Sequence, residues 1–228
     1  MKYLKMRVLS LAVLLSVYFF CGFASPAFAE EEIIYSIEKR AGKLYKPGAD
    51  KPYTGEYRVN NEATGISVEM HIKDGEINGD YIERYANGHK KMQSYWENGV
   101  QNGLLTYWDQ DEHKLIESEM KNGLPHGTET MWNNDGKKIA ETPYKNGKLD
   151  GTALEWHVNG QKRLEAEFSE GKQHGKFVSW YPNGQKLAEG AYRNDLEHGT
   201  LTTWDPAGNV TKQTTFINGV PQQNLSPQ

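Results

Sequence analysis

Cysteine is nearly absent from this chain of 228 residues, because Cys21 is the only one. A disulfide framework is therefore excluded, and packing and backbone hydrogen bonds must hold the fold. Positive charge is not in excess either, with 26 basic against 30 acidic residues. Nucleic-acid binding needs a basic surface, so this balance argues against a nucleic-acid partner and also disfavours an anionic membrane surface.

Signatures of catalysis are also missing. The sequence has no nucleophile motif, no glycine-rich phosphate loop and no zinc-ligand spacing. Its 23 glycines recur at regular spacing, which is typical of turn formers. The low mean hydropathy argues against one large central core. We therefore expect a protein that is not an enzyme and that uses no cofactor and no metal.

Residues 1–29 are predicted to be a secretory signal peptide. A basic start is followed by the apolar run Val8 to Phe23 and by the small-x-small pattern Ala27-Phe28-Ala29. A membrane anchor is the alternative, but the run of 16 residues is shorter than the roughly 20 that a bilayer span needs. A lipoprotein site at Cys21 is disfavoured, because bulky aromatic residues precede it.

Cleavage after Ala29 predicts an exported protein of the periplasm or the extracellular space. The segment carries three of the basic residues and none of the acidic ones, so cleavage changes the net charge from −4 to −7. The remaining chain is predicted to comprise an N-terminal cap (30–54), tandem repeats (55–220) and a polar C-terminal tail (221–228).

Internal repetition with a period of 24 residues dominates the sequence. One glycine row is uninterrupted: Gly55, Gly79, Gly103, Gly127, Gly151, Gly175 and Gly199. A lysine row follows the same period: Lys90, Lys114, Lys138, Lys162 and Lys186. A second aromatic row, which includes Met120, comprises Trp96, Tyr144, Phe168, Tyr192 and Phe216. The chain is therefore a tandem array of about seven units.

Each unit is predicted to be a β-hairpin. Two turn signals of the Asn-Gly or Asp-Gly type lie about 12 residues apart, and such pairs suit type I′ turns. The intervening segments have strand length. We predict an all-β fold, an elongated antiparallel β-meander or solenoid of about seven 24-residue hairpins. Leucine-rich repeats and propeller blades fit worse in motif and in repeat length.

A two-residue turn at Asp135-Gly136 predicts the register of one hairpin. Trp132 would then lie opposite Ile139, and Tyr144 opposite Gly127, with the aromatic ring covering the glycine backbone. In this register the tryptophan row shares a face with an acidic row, whereas the lysine row lies on the other face.

The repeated patterns G-x-x-x-x-W-x-x-[ND]-G-x-K and [FY]-x-[ND]-G-x-x-[HD]-G resemble the MORN-type repeat, in the variant found in YwqK-like antitoxins. The resemblance covers roughly residues 40 to 220. It implies a β-hairpin array that acts as an antitoxin or immunity-like protein. An exported member would require a toxin that acts outside the cytoplasm.

Two rows form the candidate partner-binding face. They are the tryptophans Trp108, Trp132, Trp156, Trp180 and Trp204 and the glutamates Glu117, Glu141, Glu165 and Glu189. An acidic and aromatic surface suits a cationic partner. The alternatives are that the tryptophans are a structural stripe and that the glutamates form a solvated face with cross-strand charge pairs.

The histidines His126, His174 and His198 share one position of the repeat. Equivalent positions in successive hairpins lie two strands, or roughly 9.5 Å, apart, too far for ligands of one metal ion. Asn102 and Asp150 occupy the same position, so we predict turn residues there.

The sequence thus predicts an exported, non-catalytic scaffold that binds a protein partner, in the finer hypothesis a toxin that it neutralises. The alternative is a cell-envelope module that binds a glycan or a lipid headgroup through its aromatic rows. Self-association through open edge strands is a further prediction.

Overall fold

A computed structural model describes residues 33–222 of the chain, which form 21 strands and no helix. No segment within 33–222 therefore provides a helix that could span a membrane. The predicted signal peptide, with Cys21, and residues 223–228 of the predicted tail lie outside the described residues.

The strands follow one another with short turns. They are β1 (Ile33–Ile34), β2 (Glu38–Arg40), β3 (Lys43–Tyr45), β4 (Gly55–Asn61), β5 (Ile66–Lys73), β6 (Glu76–Arg84), β7 (Lys90–Glu97), β8 (Val100–Trp108), β9 (Lys114–Lys121), β10 (Leu124–Pro125), β11 (Gly127–Trp132), β12 (Lys138–Lys145), β13 (Lys148–Leu149), β14 (Gly151–Trp156), β15 (Lys162–Ser169), β16 (Lys172–Trp180), β17 (Lys186–Arg193), β18 (Leu196–Glu197), β19 (Gly199–Trp204), β20 (Val210–Ile217) and β21 (Val220–Pro221).

From β5 onward, each strand pairs antiparallel with the one before it, directly or across a short break such as that between β10 and β11. The result is one long sheet of tandem hairpins, so the all-β fold class is confirmed. Extensive contacts join only hydrogen-bonded neighbours, which makes the sheet a single layer within residues 33–222. Stability must therefore come from neighbouring hairpins that support one another along the array.

The N-terminal segment departs from the repeat. Strand β1 pairs parallel with β4, and β2 and β3 form a separate hairpin. A cluster of buried residues joins Ile34 and Tyr53 of this segment to Ile72 of β5. At the other end, β21 pairs with β20 only at Phe216 and Ile217, so the described residues leave the rest of that edge open.

Two kinds of turn alternate along the array. At Asn98-Gly99 both residues have positive φ, 48° and 76°, as the predicted type I′ turn requires. At the other kind only the last turn residue has positive φ, which is 72° at Gly136. There the Gly136 N–H donates to Asn133 O, and the Asn133 N–H donates to Lys137 O. This is a type I turn followed by a G1 bulge, so the two-residue turn predicted at Asp135-Gly136 is wrong.

The predicted register is confirmed at one end of the hairpin and wrong at the other. Gly127 pairs with Tyr144, as predicted. Trp132 pairs with Lys138 rather than with Ile139, because the strands shift by one residue between Met131 and Trp132. A shift of one residue moves side chains to the other face of a strand. The lysine row therefore lies on the tryptophan face, and its predicted position on the opposite face is wrong.

Candidate partner-binding face

The structure brings the predicted tryptophan and glutamate rows together on one face, which we call the ladder face. The lysine row Lys90, Lys114, Lys138, Lys162 and Lys186 completes it. The members come from successive hairpins, and hydrogen-bonded pairing of each strand with the next sets their spacing.

Each of the last four lysines contacts the glutamate three positions later in its strand. The Nζ–Oε distance is 2.6 Å in Lys114–Glu117, in Lys162–Glu165 and in Lys186–Glu189. The fourth pair is Lys138–Glu141. All four predicted glutamates are therefore ion-paired, but within their own strands, whereas the alternative predicts cross-strand pairs. Within residues 33–222, only Glu165 of the four also lies near a lysine of the next strand, 3.9 Å from Lys176.

A bulge makes these contacts geometrically feasible. Side chains alternate along a regular strand, so positions three apart point to opposite faces. In β15 the pairing passes from Trp156–Lys162 to Glu155–Leu164 and leaves Arg163 without an opposite residue. The extra residue places Lys162 and Glu165 on the same face.

The lysines also lie over the tryptophans of the next hairpin. The distance from Nζ to the ring centroid ranges from 5.3 Å for Lys114 and Trp132 to 6.0 Å for Lys138 and Trp156. These distances are within the range of a cation–π contact. The tryptophan rings are half-buried and share their surface with the ammonium groups.

The pairing affects the electrostatics of the face. The hydrogen bond from Lys162 lowers the pKa of Glu165 below its ordinary 4.5, and the charges of Lys162 and Lys176 act in the same direction against partial burial. The Glu165 carboxylate is thus held ionised, and the lysines compensate its charge. The ladder face is thus an alternating pattern of charges and rings and not an uncompensated acidic surface.

The first unit of the ladder departs from this pattern. Lys90 lies 5.7 Å from the Trp108 ring, but its Nζ donates to Oε1 of Gln93 at 2.8 Å, where later units have glutamate. An amide carries no charge, so Lys90 lacks the carboxylate that its counterparts have within their own strands.

The opposite face carries the second aromatic row, in which each residue lies across from a glycine, as in the pair Gly151 and Phe168. Phe177 and Tyr192 meet edge to face, with ring centroids 5.7 Å apart. Burial raises the pKa of Tyr144 and of Tyr192, with nearby glutamates acting in the same direction. This face is the more apolar side of the sheet.

The prediction of turn residues at the histidine position is wrong for His126, which lies in the break between β10 and β11, and for His174, which lies in β16; both contact the next turn instead. Nδ1 of His126 accepts a hydrogen bond from the Asn146 N–H at 3.4 Å, and Nδ1 of His174 lies 3.3 Å from Oδ1 of Asn194. Asn102 does the same at its hairpin by accepting from the Asn122 N–H at 2.8 Å. At these three hairpins the side chain links its strand to the next turn.

Another group has the composition of a metal site but is built as a turn. Asp109, Asp111 and His113 place potential ligand atoms within 4.8 Å of one another. Oδ1 of Asp109 accepts from the N–H groups of Asp111 and His113, and Oδ2 lies 3.0 Å from Nδ1 of His113. Burial opposes the change, but these hydrogen bonds lower the pKa of Asp109. The same Asx arrangement recurs at Asp205.

Comparison with known proteins supports the repeat assignment for part of the chain. The MORN repeat variant model matches residues 125–146, 173–194 and 197–218. The starts of the three matches differ by multiples of the 24-residue period, and each match covers a strand of the second aromatic row and ends at the first residue of the turn after it. No curated protein matches the chain.

Proposed function

We propose that this protein is an exported, non-catalytic scaffold that binds a protein partner through its ladder face. The matches to the MORN repeat variant support a repeat scaffold, and such arrays commonly serve as interaction surfaces. The sequence pattern of residues 1–29 supports export.

The observation that carries this proposal is the regular Lys–Glu–Trp unit of the ladder face. Four consecutive hairpins repeat it, with equivalent positions roughly 9.5 Å apart by strand spacing. Alternating charges fix the register of a partner, and half-exposed aromatic rings supply contact area. A partner with a complementary repeat of charges would pair with successive units along the array.

The finer form of the proposal is neutralisation of a toxin by occlusion. It rests on the resemblance of the repeats to those of antitoxin-like proteins and on the length of the face. Because the protein is proposed to be exported, the toxin would have to act outside the cytoplasm. Self-association through edge strands stays a prediction.

The test is affinity capture of the tagged protein from its own cells, followed by mass spectrometry. A ladder variant carries Glu117, Glu141, Glu165 and Glu189 changed to lysine, which breaks the charge alternation. A matched control carries Glu83→Lys and Glu129→Lys, which lie on the opposite face by strand alternation. Circular dichroism checks that both variants keep their strands.

We expect one stoichiometric protein with the wild type and the control, and its loss with the ladder variant. Co-expression of that partner with and without the scaffold then tests toxicity and its relief. Capture that is equal for all three proteins would overturn the ladder face as the binding surface. Failure of the wild type to retain any protein would remove the protein-binding function itself.

The second candidate function is binding of an envelope ligand. The aromatic residues on the ladder face favour a glycan over a lipid headgroup, because the net charge of −7 expected after cleavage repels anionic membranes. One part of the face gives this candidate a specific location, which the next subsection describes.

A further inference from the structure

A groove of about 390 Å³ interrupts the ladder face where β6, β7, β8 and β9 lie side by side. Its lining includes Asp80, Gln93, Tyr95, Leu104, Trp108 and Glu117. Trp108 belongs to the tryptophan row and Glu117 to the glutamate row, whereas Tyr95 and Leu104 belong to neither. The groove was not predicted from the sequence.

Tyr95 and Leu104 are exposed, with 43% and 57% of their surface accessible. The fold does not require apolar residues at these two positions. Other repeats have His71, Glu119, Pro143, Glu167 or Ala191 in place of the tyrosine, and Asp80, Thr128, Thr152, Lys176 or Thr200 in place of the leucine. Packing requires an apolar residue at neither of these exposed positions. An aromatic and an aliphatic residue together there indicate that the site binds a ligand.

Asp80 and Gln93 supply planar polar groups that can hydrogen-bond a ligand in the groove. Nε2 of Gln93 donates to Oδ1 of Asp80 at 3.4 Å, and within residues 33–222 Asp80 forms no ion pair. Gln93 also holds Lys90 through its other amide atom, at 2.8 Å. The carboxylate of Asp80 thus keeps acceptor sites for a bound molecule, and a neighbouring amide orients it.

Together with Lys90, which lies outside the lining and contacts Gln93, the charges of the groove cancel. Asp80 and Glu117 supply two negative charges, and Lys90 and Lys114 supply two positive ones, with Lys114 paired to Glu117 at 2.6 Å. A cation would meet the lysines, and an anion would meet the carboxylates. The groove therefore suits a ligand without net charge.

We propose that this groove binds a neutral saccharide. A sugar ring offers an apolar C–H face, which the rings of Tyr95 and Trp108 can contact, and a rim of hydroxyl groups, which Asp80 and Gln93 can hydrogen-bond. A purely apolar side chain of a protein partner would desolvate those polar groups and return no hydrogen bonds to them. This difference favours the saccharide over a protein anchor.

The saccharide site specifies the ligand class of the second candidate function, which is binding of an envelope ligand. It does not depend on the proposed protein partner. The decisive variant changes Tyr95→Ala and Leu104→Thr. It reproduces the pair Ala191 and Thr200, which the same chain carries four repeats later. The matched control makes the same final residues at equivalent positions, with Glu167→Ala and Lys176→Thr.

The experiment screens the purified protein on an array of defined neutral and charged oligosaccharides and then titrates the best neutral binder by tryptophan fluorescence and calorimetry. We expect binding of a neutral oligosaccharide, at least a tenfold weaker Kd in the groove variant, and an unchanged Kd in the control. Circular dichroism and thermal melting show whether the groove variant is folded.

Three outcomes would overturn the proposal: no neutral glycan bound by the wild type, binding only to charged glycans, or an equal Kd in the groove variant. If the captured protein partner is lost with the groove variant while no glycan binds, the groove is a protein contact instead. Loss of the partner in a ladder variant restricted to Glu141→Lys, Glu165→Lys and Glu189→Lys, none of which lines the groove, with glycan binding retained would separate the two sites.

Discussion

The ammonium group of Lys162 lies 2.6 Å from a carboxylate oxygen of Glu165, three positions further along the same strand. A regular strand would put these side chains on opposite faces, and the bulge at Arg163 brings them together. The same ammonium group lies 5.4 Å from the ring centroid of Trp180 in the next hairpin. One local irregularity, repeated along the sheet, therefore organises the ladder face.

The contact between Lys162 and Trp180 should be measurable by a double-mutant cycle. We expect Lys162→Met and Trp180→Leu to destabilise the protein by less in combination than the sum of the two single effects. The difference should be about 0.5 to 1 kcal/mol, which is typical of an exposed cation–π contact. Urea unfolding of the four proteins measures it. Full additivity would show that the ring and the ammonium group do not interact.

The Lys162–Glu165 pair should make stability depend on pH in the acid range. The pKa of Glu165 is lowered from 4.5 by its hydrogen bond from Lys162, so the folded state holds this proton less tightly than the unfolded state. The stability of the pair is present above about pH 4.5 and is lost as the pH falls through the lowered pKa.

We therefore expect Glu165→Gln to lower Tm at pH 7 and to reduce the fall of Tm between pH 6 and pH 3. Glu97→Gln, at an exposed position at the end of β7, is the control and should leave the pH profile unchanged. Parallel profiles for wild type and Glu165→Gln would contradict the assignment of the pair.

Part of this architecture was predictable because the sequence repeat determines it directly. The 24-residue period identifies the hairpins. Gly127 and Tyr144 are equally far along the chain from the centre of the Asp135-Gly136 turn, and their pairing follows from that. The face of the lysine row was not predictable from Asn-Gly and Asp-Gly signals. Such pairs suit both a two-residue turn and a type I turn with a G1 bulge, and the difference of one residue exchanges the two faces.

The groove illustrates a second limit. Tyr95 and Leu104 are visible in the sequence as departures from the repeat, but their proximity depends on a shift in pairing between Ser94 and Tyr95. Periodicity alone does not predict such shifts. Asp80 is also distant from this pair along the chain, and four strands must lie side by side before the lining of the groove is complete.

Tyr81 should titrate at unusually high pH. Burial, and then the charge of Glu83 and a 3.2 Å hydrogen bond to it, raise the pKa of Tyr81 to about 12. The neutral phenol is favoured in the folded state, so its contribution to stability is full below pH 10 and is lost as the pH rises towards 12. Ultraviolet titration should show a late tyrosine component that Tyr81→Phe removes. A late component that persists in this variant would refute the assignment.

Two glycines should differ in their tolerance of alanine. Gly151 has a φ of 121°, and a Cβ atom there would lie 3.1 Å from Cγ of Pro143. Gly160 has a φ of 86° with open space around it. We expect Gly151→Ala to cost about 2 to 3 kcal/mol and Gly160→Ala about 1 kcal/mol. Equal unfolding midpoints would show that the ring of Pro143 yields without cost.

The type I turns with a G1 bulge should be coupled from one hairpin to the next. Nδ2 of Asn183 donates to Pro206 O at 2.8 Å, and Oδ1 accepts from the Gln185 N–H at 3.1 Å. Asn183→Ala removes both hydrogen bonds, and we expect a loss of about 1 kcal/mol.

Hydrogen exchange locates this effect, because the Gln185 amide and the neighbouring turn should lose protection together. Asn134→Ala is the matched control, since this exposed turn side chain forms no hydrogen bond within residues 33–222. Faster exchange at Gln185 without any change in the turn that contains Pro206 would mean that Asn183 stabilises only its own turn. Coupled exchange in both turns would show that the single-layer sheet is stabilised from hairpin to hairpin.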